Sequence, residues 1–417
     1  MSDIPSAGSS AQVHGIELDE AAIRAHVMRP AHLAGTFSDR GPEGMAPVEV
    51  PAIRAGVHYE FDRNYFTLEL AAALEDSVAG FRLVMAHSDR NSGWSLTAPW
   101  QWAKEPQDGG ELWLDDPRMH IASCSKIVTA IAMVKLLTRT GLGYDSKIIN
   151  LLPRYWTKGP NVDQITFAEL MTHRSGLNYE LASSASDFEF MKAQIAAGTS
   201  HVGDYWYQNM NFGLCRILIP TIQGYLPVDW APDNDAAWDR VTLDYYQDYV
   251  KRWVFEAGGS GSADESAPAY GGGEPTLAHA PEDALAYDFP VLGRGWDSGD
   301  LTTMAGGAGW HMSASYLLSL MGTFRRSGTI VTPAQAEAAL RRGFGIDWPV
   351  DTPMGPFYVK NGLWGNRGGQ VEQCVAFFLP ADTELVLLVN SPVGPPPESK
   401  FLLRLVSELV RKSIRPR

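Results

Sequence analysis

Apolar and polar positions change rhythm along this chain, and the changes mark its elements. Gly80 to His87 reads GFRLVMAH, an apolar run of strand length, and the Asp, Asn, Ser and Gly of Asp89–Gly93 read as the turn after it. Ile127 to Leu137 is apolar at helical spacing, with Ser123-Cys124-Ser125-Lys126 at its head and Gly141 placed to stop it. Upstream, Tyr65–Leu74 sets Leu68, Leu70 and Leu74 on an amphipathic helix. The tracts Thr166–Met171 and Asn209–Ile219 predict short helices with turn-rich joints, and Val241–Phe255 predicts another. Near the end, Val371–Leu379 and Glu384–Asn390 are apolar runs on either side of Pro380-Ala381-Asp382, the pattern of a buried hairpin. Lys400–Arg411 closes as an amphipathic helix. Strand material at both ends with helices between predicts an α/β lobe split by a helical insertion.

Two stretches stand apart. Residues 1 to about 60 are rich in Gly, Pro and Ala, carry one helix pattern at Leu18–Met28, and read as an extension. Ala257–Pro275, AGGSGSADESAPAYGGGEP, lacks large aliphatic residues, yet core-like patterns resume after it. It reads as a mobile loop within the fold, either a lid or an idle surface loop. There is no internal repeat.

Composition narrows the function. The 417 residues, 45% hydrophobic and 20% charged, can bury a sizeable core. A net charge of −14 argues against a nucleic-acid partner, which calls for basic patches. No apolar run reaches membrane-spanning length, and Met1–Gly15 has neither a basic nor an apolar segment of the secretory kind, so a cytoplasmic protein without a membrane partner is expected. Cys124, Cys215 and Cys374 lack metal-ligand spacing and sit among apolar residues, as small buried hydrophobes do. With no HExxH, no P-loop and no GxGxxG after a strand, neither a metal nor another cofactor is expected.

Chemistry is concentrated at Ser123 and Lys126. Residues three apart share a helix face, so hydroxyl and amine point into one space. An amine buried in so apolar a segment loses basicity because desolvation penalises its charge, and can then take the serine proton. The helix start adds free N–H groups suited to developing negative charge. The same tetrapeptide also describes a serine N-cap followed by a solvated lysine. Cys124 is a rival nucleophile that faces elsewhere on the helix.

Downstream stretches decide between these readings. MHIASCSK ending at Lys126, LMTHRSGL (Leu170–Leu177), YQNMNFGL (Tyr207–Leu214), AGGAGWHMSA (Ala305–Ala314) and NRGG (Asn366–Gly369) occur in order. Together they resemble the elements of the serine β-lactamase-like superfamily, which holds class C β-lactamases, D,D-peptidases and related esterases. The resemblance covers about residues 65 to 415. It implies an antiparallel sheet flanked by terminal helices, with an inserted all-helical lobe and the site between them. On the chain this gives a catalytic domain over 61–415, with a sheet lobe at about 61–140 and 300–415 and a helical lobe at about 141–300.

The resemblance also implies roles. Ser123 is the nucleophile, and Lys126 and Tyr207 handle its proton. Asn209 holds the substrate amide or orients Lys126. The backbone N–H groups of Ser123 and Gly369 form the oxyanion hole. His173 takes a structural place in its turn. Asn366 falls where the family keeps Lys or His, and contacts substrate without a charge. That departure, the lack of an export signal, Arg216 in place of a small residue and a missing proline-leucine-glycine element after Phe255 point away from penicillin. The expectation is a serine hydrolase of small-molecule esters or amides. The alternatives are a biosynthetic acyltransferase using the same acyl-enzyme, a weak β-lactamase or D,D-peptidase, or a non-catalytic binding protein.

Overall fold

A computed structural model describes residues 58–88, 93–181, 186–231, 235–260, 273–394 and 401–417, together with a short backbone pairing of 12–13 with 16–17. The Leu18–Met28 helix pattern, the Asp89–Gly93 turn up to residue 92 and most of the Gly/Ser-rich loop lie outside the described residues.

The sheet strands are β2 (Gly80–Ser88), β3 (Gly93–Lys104), β4 (Glu111–Leu112), β7 (Trp348–Val350), β8 (Phe357–Gly365), β9 (Val371–Leu379) and β10 (Thr383–Val389). They form one seven-stranded sheet in the order β4-β3-β2-β10-β9-β8-β7, antiparallel throughout. The order brings the first strands of the chain beside its last. β1 (Tyr59–Phe61) pairs with β11 (Ile414–Pro416), so the two ends of this part of the chain also meet.

Alternation along each strand sorts side chains into two cores. Phe81, Leu83 and Met85 of β2, Leu385 and Leu387 of β10, and Val375 and Phe377 of β9 face outward beneath two helices. These are α1 (Arg63–Leu74), which contributes Phe66, Leu70 and Leu74, and α9 (Phe401–Lys412), which contributes Leu402, Val406 and Leu409. The Asp62 side chain caps α1 by accepting from the Tyr65 N–H. Each such burial is worth about 1.5–3 kcal/mol. The intervening residues Val84, Cys374, Ala376, Phe378, Val386 and Leu388 face the helical side.

That inner face meets α2 (Ser125–Thr140), buried from Ser125 to Val134 and ended by Gly141 at φ 72°. Around it lie α3 (Phe167–Met171), α4 (Phe188–Ala197), α5 (Asn209–Ile222), α6 (Asp235–Val250, running on as a π-helical stretch Lys251–Ser260), α7 (Ala314–Arg326) and α8 (Pro333–Arg341). A helix enclosed on every side must satisfy its polar groups internally. On α2 those groups include Lys126 and Thr129, both fully buried.

One sequence expectation shifts, and one strand carried no legible signal. β3 was not legible as a strand, because GWSLTAPWQWAK is half-exposed and interrupted by Pro99. The helix expected to open at Ser123 begins at Ser125, after a tight 3₁₀ turn over Ala122–Cys124.

Candidate active site

Ser123 sits in a strained turn between β5 (Met119–His120) and α2. Ala122 is held at φ 47°, a left-handed conformation disfavoured for a residue with a β-carbon. The turn is fixed on both sides. The Cys124 N–H donates to the Ile121 carbonyl at 3.0 Å, the Ile121 N–H to the Trp310 carbonyl at 2.9 Å, and the Trp310 N–H to Ser125 Oγ at 3.2 Å.

Lys126 is fully buried, and its Nζ lies 3.1 Å from Ser123 Oγ, 2.6 Å from Asn209 Oδ1 and 2.5 Å from the Gly307 carbonyl. Burial drives its pKa well below the ordinary lysine range, and the positive charge of Lys360 drives it further down. A neutral amine has two hydrogens and one lone pair. In that unprotonated form, Asn209 Oδ1 and the Gly307 carbonyl, both pure acceptors, take the two hydrogens and leave the lone pair on the side of Ser123 Oγ. The loop that supplies Gly307 needs glycine there, because a β-carbon would stand 2.9 Å from the Asn209 carbonyl oxygen.

Tyr207, half-buried, donates its phenol hydrogen to Ser123 Oγ at 2.7 Å. Burial raises its pKa, partly opposed by the charge of Lys360, so it stands as a protonated donor at neutral pH. Behind it the His173 ring lies 4.3 Å away, and the His173 carbonyl accepts the Trp206 N–H at 2.9 Å. His173 therefore supports the tyrosine and does not reach the serine oxygen by any of these contacts.

β8 closes the site from the sheet side. Tyr358, Lys360, Gly362 and Trp364 alternate onto the inner face. Lys360 Nζ donates to Asp347 Oδ1 at 2.5 Å and lies 5.1 Å from the centre of the Tyr207 ring. Burial acts to lower its pKa, but the negative charge of Asp347 and its hydrogen bond outweigh that and carry it above the usual lysine value. Two buried lysines are thus shifted in opposite directions, Lys126 down and Lys360 up, because only Lys360 is hydrogen-bonded to a carboxylate.

This placement corrects the sequence reading of the third element. Asn366 and Gly369 lie in the turn joining β8 to β9, where the Gly369 N–H donates to the Asn366 carbonyl and the Asn366 side chain ties Gly368 and Gln370. Asn366 is four residues beyond Gly362 on an extended strand, about 13 Å along the chain. Lys360-Asn361-Gly362 occupies the position beside the serine instead, so a positive group is present after all. The edge backbone also differs from expectation. The Val359 carbonyl accepts from the Asp347 N–H and the Asn361 N–H donates to Asp347 Oδ2, so the outward groups of β8 belong to odd-numbered residues, and Leu363 supplies the next outward N–H. The error came from matching glycines at 368–369, although K-x-G is spelled out at 360–362 inside an apolar strand pattern. Gly307 fell within the glycine-rich AGGAGWHMSA stretch without a role of its own, and Asp347 carried no sequence signal that marked it.

Arg216 is fully buried on α5, with Nη2 2.9 Å from Asp239 Oδ1. Cys124, Cys215 and Cys374 are all buried free thiols. No helix among the described residues is long and apolar enough to cross a membrane.

Comparison with known proteins places this arrangement. No curated protein matches the sequence. Solved structures match at low identity, which speaks to fold alone. A β-lactamase/D-alanine carboxypeptidase from Yersinia pestis is 13% identical with a TM-score of 0.59, over 84% of this chain and 99% of that one. FmtA from Staphylococcus aureus is 14% identical with a TM-score of 0.58, over 87% and 93%. EstCE1, described as a hydrolase with promiscuous acyltransferase activity, is 14% identical with a TM-score of 0.57, over 83% and 98%. The family model described as Beta-lactamase matches residues 96–407, most of the chain and every element around Ser123, and the chain belongs to that family.

Proposed function

We propose that the protein is a serine hydrolase that cleaves esters or small amides through an acyl-Ser123 intermediate. The observation that carries this reading is the setting of Lys126, whose Nζ lies 3.1 Å from Ser123 Oγ while two pure acceptors, Asn209 Oδ1 and the Gly307 carbonyl, stand ready for its hydrogens. The serine proton passes to Lys126 Nζ as Oγ bonds to the acyl carbon. The carbonyl oxygen becomes an oxyanion, met by the N–H groups of Ser123 and Leu363 in place of the Ser123 and Gly369 pair first expected. Each such donor is worth about 2.7–4 kcal/mol of transition-state stabilisation. As the bond to the leaving group breaks, the Tyr207 hydroxyl gives it a proton, and Lys126 restores that proton to the phenol. Water then repeats the sequence on the acyl-enzyme.

Lys360 bears on substrate class. Its charge is already matched by Asp347 at 2.5 Å, so it serves Tyr207 more than a substrate carboxylate, which favours neutral esters over penicillin-like acids. A second reading is acyl transfer to an amine or alcohol, supported by the fold likeness to EstCE1. Turnover of p-nitrophenyl acetate and butyrate tests the proposal, with fluorophosphonate labelling located by peptide mass spectrometry. Hydrolysis that persists in Ser123→Ala would sink it, and products formed with added amines or alcohols separate transfer from hydrolysis.

A further inference from the structure

Two residues past Gly307, the same loop enters a second buried cluster. The Gly309 N–H donates to His120 Nε2 at 3.1 Å, and the Gly309 carbonyl accepts from His311 Nδ1 at 3.1 Å. The His120 and His311 rings stack at 5.2 Å, and His279 meets His311 edge-on at 6.1 Å. Histidines in a row, with carboxylates at both ends, are not used by the chemistry proposed for Ser123.

His279, Asp283 and His311 each bring a ligand atom into a group whose members all lie within 4.8 Å of one another. Backbone pairing sets this. Thr276 and His311 exchange hydrogen bonds at 3.2 and 2.7 Å, and the His279 N–H donates to the Gly299 carbonyl at 3.0 Å. The segment bearing His279 and Asp283 is thereby pinned beside β6 (His311–Met312).

Each ligand is also oriented from behind. A carbonyl only accepts, so His311 Nδ1 carries the hydrogen given to Gly309 and Nε2 keeps its lone pair. Asp283 takes the Arg118 Nε–H on Oδ1 at 2.7 Å and the Ala280 N–H on Oδ2 at 2.9 Å, each oxygen keeping a further lone pair. His279 Nδ1 is shut off from solvent and has no hydrogen-bond partner. An enclosed nitrogen of that kind is a cost to the fold unless something binds it.

A second carboxylate stands one side chain away. Glu372, fully buried, lies 3.1 Å from His120 Nδ1 and 3.4 Å from Ser298 Oγ, which is itself 3.2 Å from His311 Nε2.

We propose that His279, Asp283 and His311 form a site for a divalent transition-metal ion of the Zn2+ class, with water in the fourth position. Two imidazoles and one carboxylate match the preference of that ion. It holds such donors at about 2.0–2.2 Å, so binding draws the cluster inward. The bound ion clamps the 276–283 segment to β6, beside the loop whose Gly307 carbonyl holds Lys126.

The test uses the full chain without a histidine tag, stripped with a chelator and titrated with Co2+ and then Zn2+. The expected result is one Co2+ per chain with the visible absorption of a four-coordinate N/O site, displaced by Zn2+, and a melting temperature raised by Zn2+. His279→Ala should weaken Co2+ binding by at least about tenfold. His279→Gln, which keeps bulk, serves the same purpose if His279→Ala does not reach the metal-free circular-dichroism spectrum of the native chain. Absence of stoichiometric Co2+ binding, or equal affinity in the folded His279 variant, overturns the site.

Discussion

Gly362 lies so close to the Ser123 turn that a β-carbon on it would stand 3.2 Å from the Ser123 nitrogen and 2.4 Å from the Ile121 carbonyl oxygen. Both atoms are backbone, so nothing soft can yield. Gly362→Ala should push β8 away from the serine and lower kcat/KM by about a hundredfold, the cost of a misplacement near 1 Å. Ester turnover with the melting temperature alongside checks this, and an unimpaired variant contradicts the role given to this strand.

Asn209→Asp keeps the size of the side chain and changes its charge. A carboxylate 2.6 Å from Lys126 Nζ favours the ammonium form and raises the lysine pKa. The base works only when unprotonated, so activity disappears as pH falls through that raised value. The variant should be nearly inactive at pH 7 and regain turnover on the alkaline side. A pH profile of kcat/KM decides, and an acid limb left where the native enzyme has it refutes the assignment of Lys126 as base.

Asp347→Asn strips Lys360 of its partner and leaves a buried charge beside Lys126. Loss of one member of such a pair costs about 3–5 kcal/mol, visible as a lowered denaturation midpoint. The double variant Asp347→Leu, Lys360→Met removes both charges and should recover most of that stability. Lys360 lowers the Lys126 pKa more than Asp347 raises it. Without the pair the Lys126 pKa rises, and the acid limb of activity moves to higher pH.

Asn366→Ala tests the corrected register. The side chain holds a turn and nothing at Ser123. Stability should fall by about 1 kcal/mol as those bonds are lost, with kcat/KM unchanged within about twofold. A large loss of turnover at unchanged stability restores Asn366 to the site.

The sequence made much of this legible, for identifiable reasons. Ser123 with Lys126, and Tyr207 with Asn209, sit in two short motifs that local spacing makes legible, and the resemblance to a known family implied that the two motifs meet. The helices and the Val371–Leu379 hairpin showed through because their apolar periods are long. Lys360 was overlooked because a lone lysine in a strand says nothing until its face and its partner Asp347 are known. His279, Asp283 and His311 escaped notice for a related reason. Their segments are brought together by backbone pairing between distant parts of the chain, Thr276 with His311 and His279 with Gly299. Contacts between strands from distant parts of a chain leave no spacing to read.

The loop around Gly307 has a bearing on when the site can exist at all. Lys126 is oriented by a carbonyl 181 residues later in the chain, and the turn at Ser123 is seated on Gly362 later still. During synthesis the serine emerges long before either support. A chain released early carries the hydroxyl and the amine without the geometry that joins them. The N-terminal half therefore carries Ser123 and Lys126 without their supports until the sheet closes, and the chemistry proposed for Ser123 is among the last properties the molecule acquires.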